Sequence, residues 1–313
     1  MTLFAADSGG QRIWRVVLAV AAAALVMVVF GVASAQRDPV VVRYRIALPG
    51  LTMPLRIVQL SDSHASTIDM PQARLARVVA QINALHPDIV LLTGDYVSGE
   101  PAHWGNAATR AALAPFNALK TRLGSFAVLG NHDNPGPTAN AFAQGPVRLL
   151  LGERIDIGPL QIVGADSIQR GSPAVEAMRH AIDKARRGKP LLVVVHEPVF
   201  FTWLYPLRPV LMIAGHTHGG QVNLPLLGAI MLPTDFYRSH RRGVFHEGVH
   251  TLLVSSGLGT TNLPIRIGVP PEIVELTLVP AAAGNTSVAW PAAAGNTPMA
   301  LPAQPGRNSG TDK

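Results

Sequence analysis

The chain has no cysteine among its 313 residues. That absence excludes a disulfide framework, a thiolate zinc site, an iron–sulfur cluster and a cysteine nucleophile together. Charge is scarce as well: Asp, Glu, Lys and Arg make up 14% of the residues, against roughly a quarter in soluble globular chains. So little charge beside 48% hydrophobic residues excludes a disordered or nucleic-acid-coating polymer. Nucleotide and esterase signatures are missing too. There is no G-x-x-x-x-G-K-[ST] loop and no G-x-S-x-G elbow, and Gly257-Leu258-Gly259 lacks the third glycine of a dinucleotide loop. Metal chemistry, if present, has to rest on His, Asp, Glu and Asn, and 11 histidines make it worth pursuing.

Much of the hydrophobicity lies at the two ends. Residues 16–33 carry no polar or charged side chain, and as a helix they would span about 27 Å, close to the bilayer core of about 30 Å. Arg12 and Arg15 precede this run, and Ala33-Ser34-Ala35 follows it as a cleavage-like site. Residues 1–35 therefore read as a signal anchor or a signal peptide, with the anchor favoured because signal h-regions run only about 7 to 15 residues. Arg12 and Arg15 on one side face Arg37, Arg43 and Arg45 on the other, so the positive-inside count does not decide orientation. At the far end PAAAGNT occurs at 280–286 and again at 291–297, and residues 281–313 read as a disordered Ala/Pro-rich tail. Between these ends lies one domain, taken as 46–280. More than half of the formal charge of +7 falls outside it, so no nucleic-acid partner is expected.

Inside the domain one pattern recurs: a short apolar run, too short for a helix, that stops abruptly at polar residues. The runs are RIVQLSDSH (56–64), DIVLLTGD (88–95), SFAVLGNHD (125–133), LLVVVHEP (191–198) and VLMIAGHTHGG (210–220). Near-continuous apolar strands are covered on both faces. Helical periodicity at 72–85 and at 174–187, the latter entered through Ser172-Pro173, completes an α/β layout. Functional crevices of open α/β sheets lie beyond the carboxyl ends of the strands, where each polar cluster falls.

Asp62 and His64 are two residues apart, which on extended chain sends both side chains to one side; His216 and His218 repeat that spacing. With Asp95, Asn131 and His196 they make seven oxygen and imidazole donors. Such a set suits manganese, iron or zinc better than magnesium or calcium, and it exceeds what one ion needs.

The ordered motifs D-x-H, G-D, G-N-H-D, H and G-H-x-H resemble the calcineurin-like metallophosphoesterase superfamily over roughly residues 56–278. LTGDYV at 92–97, GHTHGGQ at 215–221 and SSGLGTTNLPIRIGVPPEI at 255–273 are similar to its membrane-associated bacterial branch. The resemblance implies a four-layer αββα sandwich of two mixed β-sheets flanked by helices, here with an N-terminal membrane helix. RIDIGPLQIVGAD at 154–166, HTLLVSSG at 250–257 and EIVELTLV at 272–279 would then supply the second sheet. It implies two divalent ions (Mn, Zn or Fe): the first on Asp62, His64 and His218, the second on Asn131, His196 and His216, with Asp95 bridging. It implies hydrolysis of phosphodiester, phosphomonoester or pyrophosphate bonds by a metal-activated hydroxide. His132 would protonate the leaving oxygen and Asp133 would orient its imidazole. Ser63 and Ala65 stand where many relatives carry leucine, which should alter loop packing and not metal binding.

The expected setting is the bacterial inner (cytoplasmic) membrane, single-pass, with the catalytic domain on the extracytoplasmic side and a phosphoester substrate that is lipid-linked. A cell-wall or nucleotide phosphodiesterase is the alternative within the class, and a non-catalytic metal-binding scaffold the alternative outside it. Arg238, Arg241 and Arg242 could reach a substrate phosphate or serve as the charged guard of an edge strand. The aromatic stretch VFFTWLYPL at 199–207 reads as core or as a membrane-side ridge. His86, His103, His180, His240, His246 and His250 read as structural, and Glu197 as a cap or salt-bridge residue.

Overall fold

The computed structural model describes residues 9–99, 101–204, 209–224, 228–229, 232 and 234–281. The tail expected over 281–313 lies outside them but for residue 281, and so do residues 205–208 of the aromatic stretch. Helix α1 (Gly9–Ala35) is followed by two six-stranded sheets. The first contains β1 (Val40–Leu48), β2 (Leu55–Leu60), β3 (Ile89–Leu92), β4 (Gly124–Ala127) and β5 (Val147–Leu149). The second contains β6 (Glu153–Ile157), β7 (Leu160–Gly164), β8 (Leu191–Val194) and β9 (Leu211–Ala214). A two-stranded hairpin, β10 (Asn223–Leu224) with β11 (Gly228–Ala229), precedes β12 (Gly243–Glu247) and β13 (His250–Val254) of the second sheet. Strand β14 (Glu272–Pro280) returns to the first, giving the orders β1-β14-β2-β3-β4-β5 and β12-β13-β9-β8-β7-β6.

Three apolar clusters make four layers from these sheets. Ile57, Leu91, Leu276, Ile162, Val194 and Ile213 belong to the core between the sheets. On the outer face of the first sheet, Val58, Leu60, Val90 and Leu92 pack against α2 (Gln72–Ala84), whose Leu75, Val78, Val79 and Ile82 recur at helical spacing. Helices α3 (Asn106–Leu113) and α4 (Pro135–Phe142) extend that layer through Leu113, Ala141 and Phe142. On the outer face of the second sheet lies α5 (Ser172–Asp183), with Ala174, Met178 and Ala181 against Val193 and Met212. A short helix α6 (Asp235–Ser239), capped by Thr234, leads into β12 at that sheet's edge. The αββα sandwich is therefore realised, and β2, β3, β4, β8 and β9 all end toward one rim, as parallel neighbours within each sheet do.

Three boundaries differ from the sequence reading. The β14 segment was expected in the second sheet, but it lies in the first, parallel to β1 and antiparallel to β2. Its alternation marks a strand without saying which sheet; the choice is made by Val274, Leu276 and Leu278 in the core between the sheets, and by Glu275 bonding Arg43 at 2.8 Å. The first sheet begins at Val40, ahead of residue 46, because β1 pairs with β14 along its whole length. Helix α5 closes at Asp183 and not near 187. The aromatic stretch is core as far as it is described: Phe200 and Phe201 are buried against Val210 and Leu252.

Candidate metal centre

Each strand run ends in a turn that carries donors, and the backbone of those turns is unusual. Asp62 (φ 51), His64 (φ 42), Asp95 (φ 55), His216 (φ 71) and His218 (φ 50) all adopt the left-handed conformation, which is sterically unfavourable for residues with a Cβ. The expectation of extended chain at Asp62-x-His64 and His216-x-His218 is thereby corrected. The paired side chains converge because every second residue turns left-handed, beyond the ends of β2 and β9. Hydrogen bonds hold the turns: Asp62 N donates to Gly94 O at 3.0 Å, His64 N to Asp95 O at 3.0 Å, and Gly259 N to Asp62 O at 2.7 Å. Strain of this kind persists where surrounding structure over-determines it, and it clusters at functional sites.

Two glycines show how tightly the turns meet. A Cβ on Gly130 would overlap Asp95 Oδ1, and one on Gly215 would overlap Ser61 Oγ. Ser63 and Ala65 do affect packing: Ser63 Oγ donates to Tyr96 O at 3.1 Å, and Ala65 bridges to Val97.

The side chains form two groups able to hold a metal ion, Asp62-His64-His218 and Asp95-His196-His216, each with donor atoms within 4.8 Å of one another. His64 Nε2 and His218 Nε2 are 3.1 Å apart, and His218 Nε2 lies 3.4 Å from Asp62 Oδ1. In the second group His196 Nε2 lies 3.1 Å from Asp95 Oδ2 and 3.2 Å from His216 Nδ1. Asp95 Oδ2 is also 3.6 Å from His64 Nε2, so this carboxylate stands between the groups. His196 Nδ1 donates to Thr93 O at 2.7 Å, which aims Nε2 at Asp95; without metal, and against burial, the Asp95 and Asp62 charges hold a proton there, and a cation would take its place. Asn131 Oδ1 is buried without a hydrogen-bond partner, a state that buried acceptors seldom tolerate. Imidazole nitrogens aimed at one another, an orphaned amide oxygen and a shared carboxylate fit divalent ions of the manganese, iron or zinc kind.

Burial sets the protonation of this cluster. It lowers His64 to about 4, against the raising charge of Asp95, and His216 to about 3, with the charge of His196 acting in the same direction. Both rings are therefore neutral, as ligands must be. Burial raises Asp62 to about 6, opposed by the charge of His196. Asp95 is different: burial works against its charge, but His196, by charge and by hydrogen bond, holds it well below the usual carboxylate range.

Residues 55–220 match the calcineurin-like phosphoesterase family. YkuE of Bacillus subtilis, an uncharacterized metallophosphoesterase, is 31% identical over 237 residues, covering 71% of this chain and 78% of that protein. The chain belongs to the calcineurin-like phosphoesterase family. Phosphodiesterase YaeI of Escherichia coli is 28% identical over 253 residues, 76% of this chain and 87% of YaeI. A transmembrane protein with a metallophosphoesterase domain from Danio rerio is 28% identical over 275 residues, 81% of this chain but 60% of that longer protein. Among solved structures, purple acid phosphatase PPD1 of yellow lupin covers 73% of this chain and 50% of its own at 16% identity, with a TM-score of 0.40. As a member of this family the chain is a metal-dependent phosphoester hydrolase, and α1 gives it one helix long and apolar enough to cross a membrane.

One role read from the family motifs changes in the structure. Asp133 does not orient His132. Its carboxylate accepts from the backbone N–H groups of Asp95, Tyr96 and Gly130, each at 2.8 Å, and so ties the turn after β3 to the turn after β4. Burial raises this carboxyl to about 7, with the Asp95 charge adding to the effect. The partner of the His132 ring is the Gly99 carbonyl, 2.7 Å from Nδ1, while its backbone N–H donates to Asp95 Oδ1 at 2.8 Å. Asp133 follows His132 in sequence, but adjacent residues in a tight turn point apart.

For the arginine cluster two readings were open, and its backbone lies toward the edge of the second sheet. A cavity of about 190 Å³ opens over Asp95, Asn131, His132, His216 and His218, and Tyr237 lines it where Arg238, Arg241 and Arg242 do not. The Tyr237 ring lies 5.2 Å from that of His216. Arg238 points back to Leu232 O and is exposed, and the cluster occupies α6 and the turn before the edge strand β12. Glu197 bonds Ser167 Oγ and Ile168 N, the cap role expected of it.

Arg266 escaped the sequence reading. It is fully buried, and Nη2 donates to Ser256 O at 2.8 Å and Gly259 O at 2.7 Å while lying 3.3 Å from His218 Nδ1. A lone arginine inside the apolar stretch NLPIRIGVP was the available signal, since a buried guanidinium needs several acceptors. Gln221 was passed over in the same way; its amide clasps Thr261 O and Leu263 O at 3.0 Å and orders the loop over the cavity.

Proposed function

We propose that this chain is a membrane-anchored phosphodiesterase with a two-ion site, in which Asp62, His64 and His218 hold one ion, Asn131, His196 and His216 the other, and Asp95 lies between them. The observation that carries this reading is the convergence of both donor groups on Asp95, with the unpartnered Asn131 Oδ1 beside it. When bound, two divalent ions would polarise the phosphoryl oxygens and lower the pKa of the attacking water. The chain's own residues do the rest. His132 donates through Nδ1 to Gly99 O, so only its doubly protonated ring can give a proton to the leaving oxygen, from Nε2, and the ring is left neutral. Asp133 acts on the backbone: by accepting from Asp95 N and Gly130 N it fixes the distance between the donor turns. Tyr237 and the 261–262 loop wall the cavity and restrict how an ester enters.

The ions are Mn, Zn or Fe, and the substrate is a phosphoester held on a lipid, with α1 as an uncleaved single-pass anchor in the bacterial inner membrane and the catalytic domain on the extracytoplasmic side. Burial of Ser34 and Ala35 inside the cleavage-like site supports the anchor. The test is metal analysis of the purified full chain, followed by hydrolysis of bis-p-nitrophenyl phosphate with each metal. Two bound ions with no turnover under any of the three would refute the catalytic reading. His132→Ala should retain two ions and lose about a hundredfold in turnover of an unactivated diester; full turnover would remove His132 from the mechanism.

A further inference from the structure

Every residue of α1 from 10 to 30 is exposed, and Gly31 is the first buried one. The apolar part of this stretch, residues 16–30, covers about 22 Å at about 1.5 Å per residue, most of a hydrocarbon core of about 30 Å. Gly31 thus ends the open face of the helix. There the helix meets the catalytic domain: Gly31 O accepts from Arg266 N at 2.9 Å, and a Cβ on Gly31 would stand 3.1 Å from Ile265 Cβ. The same loop contributes Thr261 and Asn262 to the wall of the metal cavity.

A second tether runs to the loop that bears His64. The Arg74 guanidinium donates to Ala35 O at 2.8 Å and Arg37 O at 2.6 Å, and also to Asp69 O. Asp69 Oδ2 in turn accepts from Thr260 Oγ1 at 2.5 Å, so the two loops are joined to each other as well as to the end of α1. Each loop displays one large apolar side chain to the outside, Ile68 at 70% and Leu263 at 55% exposure. Both stand within two residues of a group that grips the helix exit or the residue packed against it.

We propose that Ile68 and Leu263 seat in the boundary between lipid headgroups and acyl chains, so that the metal cavity opens at headgroup level and takes phosphoesters presented by the membrane. An apolar side chain at this depth leaves water for lipid, a favourable transfer that stiffens the docking of a helix already anchored. The seating is independent of the catalytic reading; the preference for membrane-held esters rests on it.

The absence of native cysteine makes the test direct. Ile68→Cys, Leu263→Cys and Val249→Cys are each labelled with an environment-sensitive fluorophore in the full chain, reconstituted in phosphatidylcholine–phosphatidylglycerol nanodiscs. Val249 is 53% exposed on the β12–β13 turn at the opposite end of the strands and serves as the reference. Labels at 68 and 263 should emit blue-shifted and be quenched by spin-labelled lipid, while the label at 249 should not. Water-like emission at all three overturns the seating.

For the substrate class, turnover of hexadecyl 4-nitrophenyl phosphate in the discs is compared with that of ethyl 4-nitrophenyl phosphate in water. The parent chain should favour the membrane-held ester in kcat/KM by about tenfold, and the Ile68→Asp, Leu263→Asp double variant should lose that preference while keeping its rate on the soluble ester. Equal kcat/KM for both esters in the parent overturns the substrate class and leaves the phosphoesterase reading standing. Turnover of neither ester by the metal-loaded parent, with labels 68 and 263 still in lipid, refutes the phosphoesterase reading and leaves the seating.

Discussion

The two ends of the strands use the same backbone conformation, but only one of them places it repeatedly on residues with a side chain. At the amino end, left-handed positions fall on Gly50, Gly158, Gly188 and Gly248, with His86 an exception. At the carboxyl end glycines such as Gly94, Gly219, Gly220 and Gly257 share it with Asp62, His64, Asp95, His216 and His218. Glycine adopts this conformation without a Cβ clash, so the amino end turns at little enthalpic cost. The carboxyl end accepts strain in return for a donor side chain at the turn itself. The cavities differ in the same sense: a larger one, about 440 Å³, lies at the amino end among Leu48, Ile182, Pro190 and Pro209. Volume alone does not make a site; the smaller cavity has the converging donors.

The comparison breaks if chemistry is indifferent to which end is altered. Asp95→Ala removes the carboxylate between the donor groups and should lower turnover of bis-p-nitrophenyl phosphate by about a thousandfold. Asp156→Ala removes a carboxylate that pairs with Lys189 at 2.9 Å at the amino end, and should leave turnover unchanged. Steady-state kinetics on the two variants decide it.

A smaller effect is expected from glycine substitutions. In Gly130→Ala the new methyl collides with Asp95 Oδ1, so metal content and turnover should both fall, by about 10 to 100-fold in affinity. Gly158→Ala meets nothing closer than Leu123 Cδ1 at 3.8 Å and bears only the φ penalty, about 1 kcal/mol, visible as a Tm lower by a few degrees with full metal content.

Acid should separate the ends last. Asp62, raised to about 6 by burial, is protonated below that pH in the metal-free protein and must lose its proton to bind a cation. His64 and His216, lowered to about 4 and about 3, are already neutral and set no limit there. Metal retained after dialysis should therefore fall as pH drops through about 6, where Asp62 takes up a proton in addition to the one that the Asp95 and Asp62 charges hold on metal-free His196. Asp156, lowered by its hydrogen bond to Lys189, gives no transition in that window. Retention of metal unchanged to pH 4 would contradict the burial of Asp62.

Much of the site was legible because apolar runs too short for helices end at polar residues, which marks both the strand and its exit. The seven candidate donors were picked out in this way, and six of them fall in the two convergent groups. Less legible were the contacts that depend on chain folding over distance. The β14 segment reads as a strand from its alternation, yet its sheet is chosen by partners more than two hundred residues away in sequence, such as Arg43 for Glu275. Asp133 was linked to its neighbour His132, when its carboxylate reaches Asp95 and Tyr96 nearly forty residues back. Arginines 238, 241 and 242 looked suited to phosphate or to guarding an edge strand, and only the fold shows that Tyr237, not they, lines the cavity.

What the amino-acid sequence by itself determined was composition-bound and local. The lack of cysteine restricts metal ligands to His, Asp, Asn and Glu; short-range periodicity sets strands, helices and the membrane run; and motif order marks the family. Tertiary structure alone decided that Asp95 stands between two donor groups, that Arg266 backs His218, and that the end of α1 packs on the loop that walls the cavity. The physical reason is that donors on five separate strand ends cannot meet until two sheets pack face to face, and that packing depends on hydrophobic contacts between segments remote in sequence.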